Sequence, residues 1–383
     1  MTPADADLRS RAPAIGAAIL LVAIVGIGLS LTLPLLSLEM ERMGASASVN
    51  GANTAIAGLA SLIAVPFVPR LAARLGIGRL LAGAIIVSML ALLSFKLFFD
   101  IAAWFPIRFA FAAALGTLFV LSEYWIAAAA PPARRGMVMG IYATVLALGF
   151  AAGPALLGLL GTQGWAPYLA GIALFALAGL PLLLARKLLP GLDAEPQRPV
   201  ASYMLALPMA TAAGAAYGAV ETGAFALLPV YGLRIGLPAE TATLLVSAVA
   251  LGNVALQLPI GLLADRVSKA RLLLAIALGS IGGALLIPFA HDLGLWPLCL
   301  LLFAWGGVVG ALYTVGLAHL AGRFQGGELA GANAAFVMLY NVGLTSGPPI
   351  LGLSLDLSTR WGLPLAIAGF LLLLPLAATL RRD

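Results

Sequence analysis

Of 383 residues, 62% are hydrophobic and only 36 are charged, 21 basic and 15 acidic, for a net charge of +6. Soluble domains run at about 45–50% apolar and about 25% charged, so this chain has too little polar surface to be a soluble enzyme or a disordered polymer. Its apolar runs last about 20 residues, the length of a membrane-spanning helix, whereas the strands of an outer-membrane barrel alternate apolar with polar.

Taken in chain order, Met1 to Arg11 is polar and Ala12 to Leu36 is apolar. That run is longer than the roughly 7–15-residue core of a cleaved signal peptide and has no small-residue cleavage site, so it is expected to remain as a first span. Breaks of charge, Pro and Gly then divide the first half into spans 13–37, 50–69, 79–98, 102–126, 136–160 and 166–185. The second half gives 203–231, 239–262, 271–290, 294–319, 329–353 and 362–380. The longest polar interruption, RKLLPGLDAEPQRPVAS, falls between the two sets. The expectation is an all-α membrane protein of twelve transmembrane helices: a six-helix bundle at 1–185, a cytoplasmic linker at 186–202 and a second six-helix bundle at 203–383.

Basic residues orient such a chain, because cytoplasmic loops carry the excess of Lys and Arg. With the N-terminus in the cytoplasm, sixteen basic residues fall on that side, from Arg9 and Arg11 to Arg381 and Arg382. Four face the other side (Arg42, Lys96, Arg234, Arg360), and Arg108 lies within a span. Both termini are therefore expected in the cytoplasm, and the positive charge reads as topology, not as a nucleic-acid surface. The single Cys299, in an apolar run, offers neither a disulfide framework nor a thiolate metal site.

The halves repeat each other. Gly149, Gly153, Pro154 and Gly158 of GFAAGPALLG fall on Gly343, Gly347, Pro348 and Gly352 of GLTSGPPILG at an offset of 194. PRLAARLGIGRLL, from Pro69, matches GLLADRVSKARLL, from Gly261, at an offset of 192. Six spans per repeat give both halves the same orientation, a known transporter layout.

With these motifs the chain resembles the major facilitator superfamily along nearly its whole length. GLLADRVSKAR is similar to the superfamily's Gly-x-x-x-Asp-Arg-x-Gly-Arg-Arg loop, and GxxxGPxxxG in span five resembles a motif of its antiporter branches. The Ser122-Glu123-Tyr124 end of span four is similar to bacterial inner-membrane members. The first-half loop departs from the pattern: Pro69 and Ala73 replace its glycine and aspartate, leaving Arg74, Gly76 and Arg79. A gating role implied by the resemblance therefore moves to Asp265 and Arg266, with Arg74 as the first-half remnant. Arg108 matches the arginine of the superfamily's span-four motif, with Ala112 where a glycine is expected. The resemblance also implies that spans one, four, seven and ten line a central cavity, with Arg108 and Glu221 facing each other across it.

Charges at membrane depth are functional candidates by default. Glu221, about ten residues from the outer end of span seven, reads as a proton-binding carboxylate, since low dielectric favours the neutral form and a nearby arginine the charged one. A static ion pair or a wetted cavity glutamate is the plainer reading. Arg108 reads as a proton relay, an anion anchor or a packing ion pair. Glu123 and His319, near the inner ends of spans four and ten, read as an inner gate or as snorkelling side chains.

Uncharged polar residues (Ser30, Thr32, Asn253, Gln257, Thr314, Tyr340, Asn341) are candidates for the cavity wall or for interhelical bonds, Thr314 and Asn341 being taken with the cavity. The glycine–proline segments read as helix packing and hinge elements. No GxxxxGK[ST], HExxH or dinucleotide fingerprint is present, so no cofactor and no metal are expected, and the energy source is an ion gradient. The expected function is proton-coupled export of a small amphipathic or hydrophobic compound by a monomer in the bacterial inner membrane. Proton-coupled uptake of a nutrient or organic anion is the alternative, and a non-transporting sensor the more distant one. Expected partners are the small-molecule substrate, protons and the lipid bilayer, without nucleic acid.

Overall fold

A backbone in lipid must satisfy its own polar groups, and a helix does so within one segment. In the computed structural model, which describes residues 3–131, 135–190, 208–264, 266–323 and 326–380, every regular element is helical. The first half contains α1 (Pro3–Arg42), α2 (Ala47–Ala64), α3 (Val68–Leu75), α4 (Ile77–Leu97), α5 (Ile101–Ala129), α6 (Arg135–Leu160) and α7 (Ala166–Leu184). The second contains α8 (Pro208–Arg234), α9 (Ala239–Ala264), α10 (Lys269–Asp292), α11 (Leu295–Ala321), α12 (Gly326–Leu357), α13 (Gly362–Leu371) and α14 (Leu373–Leu380).

Two of the expected spans are broken rods, so fourteen helices make twelve spans. A 3₁₀ turn at Val65–Phe67, with Pro66 inside it, separates α2 from α3. The last span breaks at Leu372, where Pro375 lacks the N–H that would bond the carbonyl of Leu371.

Ten of the described helices are long and apolar enough to cross a membrane, and α6 contributes a shorter apolar stretch, Thr144–Leu160. Helix α8 is not among them, for a physical reason. Nearly all of it is buried from Met209 to Gly232. Its surroundings are other helices, so small and polar residues serve where a lipid-facing helix needs Leu and Ile.

Contacts divide the chain into two compact units, residues 1–35 with 60–195 and residues 36–59 with 196–383. In the first unit the core is aromatic where α4, α5 and α7 meet. Phe95 stands edge-on to Trp104 and Phe111, with ring centres 5.0 and 6.2 Å away, and Phe111 stands edge-on to Phe175 at 5.8 Å. Edge-to-face pairing of this kind adds to burial. In the second unit α8 packs along α12, and α9 along α11. The expected linker at 186–202 lies mostly outside the described residues.

Candidate functional site

The repeat seen in the sequence is a packing device. On α6, Gly149 lies against α1, where an added Cβ would meet the carbonyl oxygen of Ala23 at 3.1 Å and Ile27 just beyond. A Cβ at Gly153 would overlap Ser30 and the backbone of Leu31, and Ser30 Oγ donates to the carbonyl of Gly149 at 3.1 Å. On α12, Gly343 and Gly347 lie against Ala215 and Ala219 of α8, so closely that a Cβ at either would overlap backbone. Ala215 and Ala219 are the positions 192 residues after Ala23 and Ile27, so the two halves build the same helix pair.

The second-unit pair is interlocked from both sides. Gly214 and Gly218 of α8 stand one turn apart and receive Phe336 and Tyr340 of α12, with a Cβ at Gly218 overlapping the carbonyl oxygen of Tyr340. This close approach brings Tyr340 within reach of Glu221, and its hydroxyl donates to Oε2 at 2.7 Å. Tyr217, four residues before Glu221 and hence on the same helix face, donates to Oε1 at 2.8 Å. Asn253 Nδ2 on α9 reaches Tyr217 Oη at 3.4 Å. Tyr313 of α11 completes an aromatic wall, its ring centre 5.7 Å from those of both Tyr217 and Tyr340.

Tyr217, Glu221, Asn253, Trp305 and Gly310 border a cavity of about 20 Å3. That is room for one water molecule, not for an organic substrate. The Glu221 carboxylate is part-buried and bonded by neutral donors, with no cation bonded to it among the described residues.

Arg108 of α5 is buried, at 2% exposure, beside the aromatic core of the first unit. Within its own unit it has no ion-pair partner among the described residues. Glu123 Oε1 accepts from Tyr142 of α6 at 2.6 Å, so both membrane-depth glutamates are held by tyrosine hydroxyls. The Thr314 hydroxyl donates to the carbonyl of Ala311 at 3.2 Å, and Asn341 Nδ2 to that of Val337 at 3.0 Å. Each bonds its own helix, and neither enters the Glu221 cluster. His319 lies in the last turn of α11 and Arg74 in the last turn of α3. Arg74 and Arg266 are exposed, and Asp265 lies outside the described residues. Pro154 and Pro348 are buried inside α6 and α12. Gly158 is half-buried on α6, and a Cβ at Gly352 of α12 would overlap the carbonyl oxygen of Ala47.

Tyr217, Tyr313 and Tyr142 escape a sequence reading because a tyrosine in an apolar run looks like packing material. The spacing of Tyr217 to Glu221 was the available signal. A second cluster was missed at the ends of helices α1, α2, α8 and α12. Arg234 grips Glu41 with two hydrogen bonds, Nε to Oε1 at 2.8 Å and Nη2 to Oε2 at 3.2 Å, and reaches Asp356 Oδ1 at 2.9 Å. The Asp356 carboxylate also accepts from the backbone N–H groups of Ala47 and Ser48 at 2.8 and 2.7 Å, capping the N-terminus of α2.

A twelve-span, twofold-repeated helical fold with a part-buried carboxylate in the middle of a helix is the architecture of a membrane transporter. The model of the Major Facilitator Superfamily matches residues 18–245 and 209–383, and the chain belongs to that family: it is a secondary transporter and not an enzyme. It is 26% identical over 340 residues to the MFS-type transporter YfkF of Bacillus subtilis (strain 168), covering 86% of this chain and 85% of that one. An MFS-type transporter of Yersinia enterocolitica is 27% identical over 305 residues, 76% of each chain. Among solved structures, a mutant form of the nucleoside transporter NupG superposes with a TM-score of 0.73 at 14% identity, covering 96% of this chain and 98% of that one. A D-xylose-proton symporter superposes with a TM-score of 0.70 at 16% identity, covering 94% and 96%. At such identities the likeness is one of fold.

Proposed function

We propose that the protein is a proton-coupled exporter of a small amphipathic or hydrophobic compound in the bacterial inner membrane, with both termini in the cytoplasm and Glu221 as the proton carrier. The observation that carries this reading is the setting of Glu221: a part-buried carboxylate bonded to two tyrosine hydroxyls, with no arginine bonded to it among the described residues. A hydroxyl can accept as well as donate a hydrogen bond, so two tyrosines suit a carboxyl group that changes its proton count, and no cation is bonded to it among the described residues. The group therefore takes up or loses a proton as its exposure changes during alternating access by the two six-span halves, 1–185 and 203–383. The helices around the cluster contribute no further charge at that depth, which suits a substrate of low charge.

The test is transport in proteoliposomes with an imposed pH gradient, screened with fluorescent amphipathic dyes. Glu221→Gln is expected to abolish dye movement driven by the gradient while sparing dye exchange without one. Gradient-driven movement that survives in Glu221→Gln removes the proton role. Dye accumulation on the side from which protons arrive would fix the direction as export, and co-movement with protons would replace export by uptake.

A further inference from the structure

The hydrogen bonds around Glu221 suit only one of its two charge states. With the carboxylate ionised, Tyr217 donates to Oε1 and Tyr340 to Oε2. An added proton must sit on one of these oxygens, and the carboxyl O–H then donates where it formerly accepted. The tyrosine on that side becomes an acceptor, and its own hydroxyl proton needs a new destination. Tyr340 has no second hydrogen-bond partner among the described residues. Tyr217 does: the side-chain amide of Asn253 stands 3.4 Å from its hydroxyl.

That amide now presents its donor, Nδ2, to Tyr217, while its acceptor, Oδ1, is buried and without a partner among the described residues. A buried orphan acceptor is costly and calls for an explanation. The two ends of an asparagine amide are nearly the same shape but opposite in hydrogen bonding, so a half-turn of the group offers Oδ1 to Tyr217 instead. Space for the group exists because position 310 is glycine, where a Cβ would overlap the amide, and because the one-water cavity lies alongside.

Resting on the reading of Glu221 as the proton carrier, we infer that Asn253 is a positioning residue that answers the protonation of Glu221 through Tyr217, turning its amide from donor to acceptor. The sequence balances with a single incoming proton. It binds Oε1, the carboxyl O–H donates to Tyr217 Oη, and the Tyr217 O–H donates to Asn253 Oδ1. No covalent bond other than the new O–H forms, and Tyr340 keeps its bond to Oε2. Protonation on α8 is thereby passed to α9 through the amide.

The groups facing Glu221 from the packed helices are Tyr217 on its own helix, Asn253 from α9, Tyr313 from α11 and Tyr340 from α12. The other charged or titratable residues of these helices, Arg234, Glu240, His319, Glu328 and Asp356, and those of α10, which also packs on α8 (Lys269, Arg271, His291, Asp292), stand near helix ends, and α13 and α14 carry none. The relay is therefore the route by which pH reaches this site.

Infrared difference spectroscopy of the full chain in lipid nanodiscs, recorded across a pH titration, tests both layers. The part of the protonated-carboxyl band that disappears in Glu221→Gln belongs to Glu221, and a wild-type protein lacking such a part overturns the proton-carrier reading itself. With the band present, Asn253→Leu is expected to lower its midpoint by about one pH unit, a tenfold loss of proton affinity, because the ionised state loses only the long 3.4 Å bond to Tyr217 while the protonated state leaves the Tyr217 hydroxyl proton without an acceptor. Asn253→Ala serves where the leucine variant does not fold. In the Tyr217→Phe background, replacing Asn253 is expected to move the midpoint no further. An unchanged midpoint in the single variant, or a full shift that persists in the Tyr217→Phe background, overturns the relay while leaving the role of Glu221 intact.

Discussion

The α1–α6 pair of the first unit and the α8–α12 pair of the second share one packing plan and differ in what they hold. Both press glycines of a repeated segment onto small or aliphatic residues of the partner helix, at positions that correspond across the repeat. At the second pair the result is a carboxylate with two tyrosines. At the first, the positions 192 residues before Glu221 and Tyr217 are Leu29 and Val25, and the position 194 before Tyr340 is Leu146. A polar cluster has been installed in one copy of a junction that stands without it in the other. Backbone packing and proton chemistry are therefore separable here, and the glycines belong to the former.

The comparison can be broken most forcefully by giving the first junction the acid without its partners. Leu29→Glu is expected to cost about 2.5–3.5 kcal/mol, the scale of an unpartnered charge at membrane depth, read as lost membrane yield and a lower melting temperature in detergent. A Leu29→Glu variant as stable as wild type would show that the tyrosines of the second junction are not needed to hold a glutamate.

Next in size is the packing itself. Gly343→Ala drives a Cβ into the carbonyl of Ala215 and is expected to destabilise by about 1–3 kcal/mol. Gly149→Ala meets Ala23 at 3.1 Å and is expected to stay within about 0.5 kcal/mol. Equal melting temperatures for these two variants would contradict the tighter fit assigned to the second junction.

A smaller effect separates the polar layer. Tyr340→Phe removes one donor to Glu221 and is expected to cost about 1 kcal/mol, falling to near zero in a Glu221→Leu background, where the acceptor is gone; a double-mutant cycle measures the difference. Smallest is Ser30→Ala, which deletes the bond to the Gly149 carbonyl. About 0.6 kcal/mol is expected, the usual worth of a hydrogen bond between membrane helices.

Much of the fold was legible in the sequence because lipid imposes its rule on every span. Runs of apolar residues gave the helices, and a glycine pattern offset by 194 gave the repeat. Helix α8 shows where the hydropathy signal weakens: a helix enclosed by protein no longer has to be greasy, and its Ala, Gly and Thr content carries the information instead.

At the candidate site, Glu221 and Arg108 were visible because charge at depth is costly. Their neighbours were not, because a sequence does not say which aromatic ring arrives from another helix. Tyr340 comes from 119 residues away, through an approach that only the glycines of α8 and α12 permit. Thr314 and Asn341 had the right polarity at the right depth, but each bonds a carbonyl on the preceding turn of its own helix.

The Arg234 cluster at the helix ends has a consequence for the order in which the protein is made. Glu41 waits for a partner 193 residues downstream, and the N–H groups of Ala47 and Ser48 wait for Asp356, more than 300 residues later. Residues 36–59 leave the ribosome among the first and complete their polar contacts among the last. Closing so long a loop is slow, and until α12 is inserted the tip between α1 and α2 depends on water and lipid headgroups for its hydrogen bonds. A nascent chain halted after α7 has its first unit's α1–α6 junction available but lacks every second-half partner of that tip. Synthesis therefore ends with a docking step, in which one arginine and one aspartate from the late half secure a hairpin made at the start.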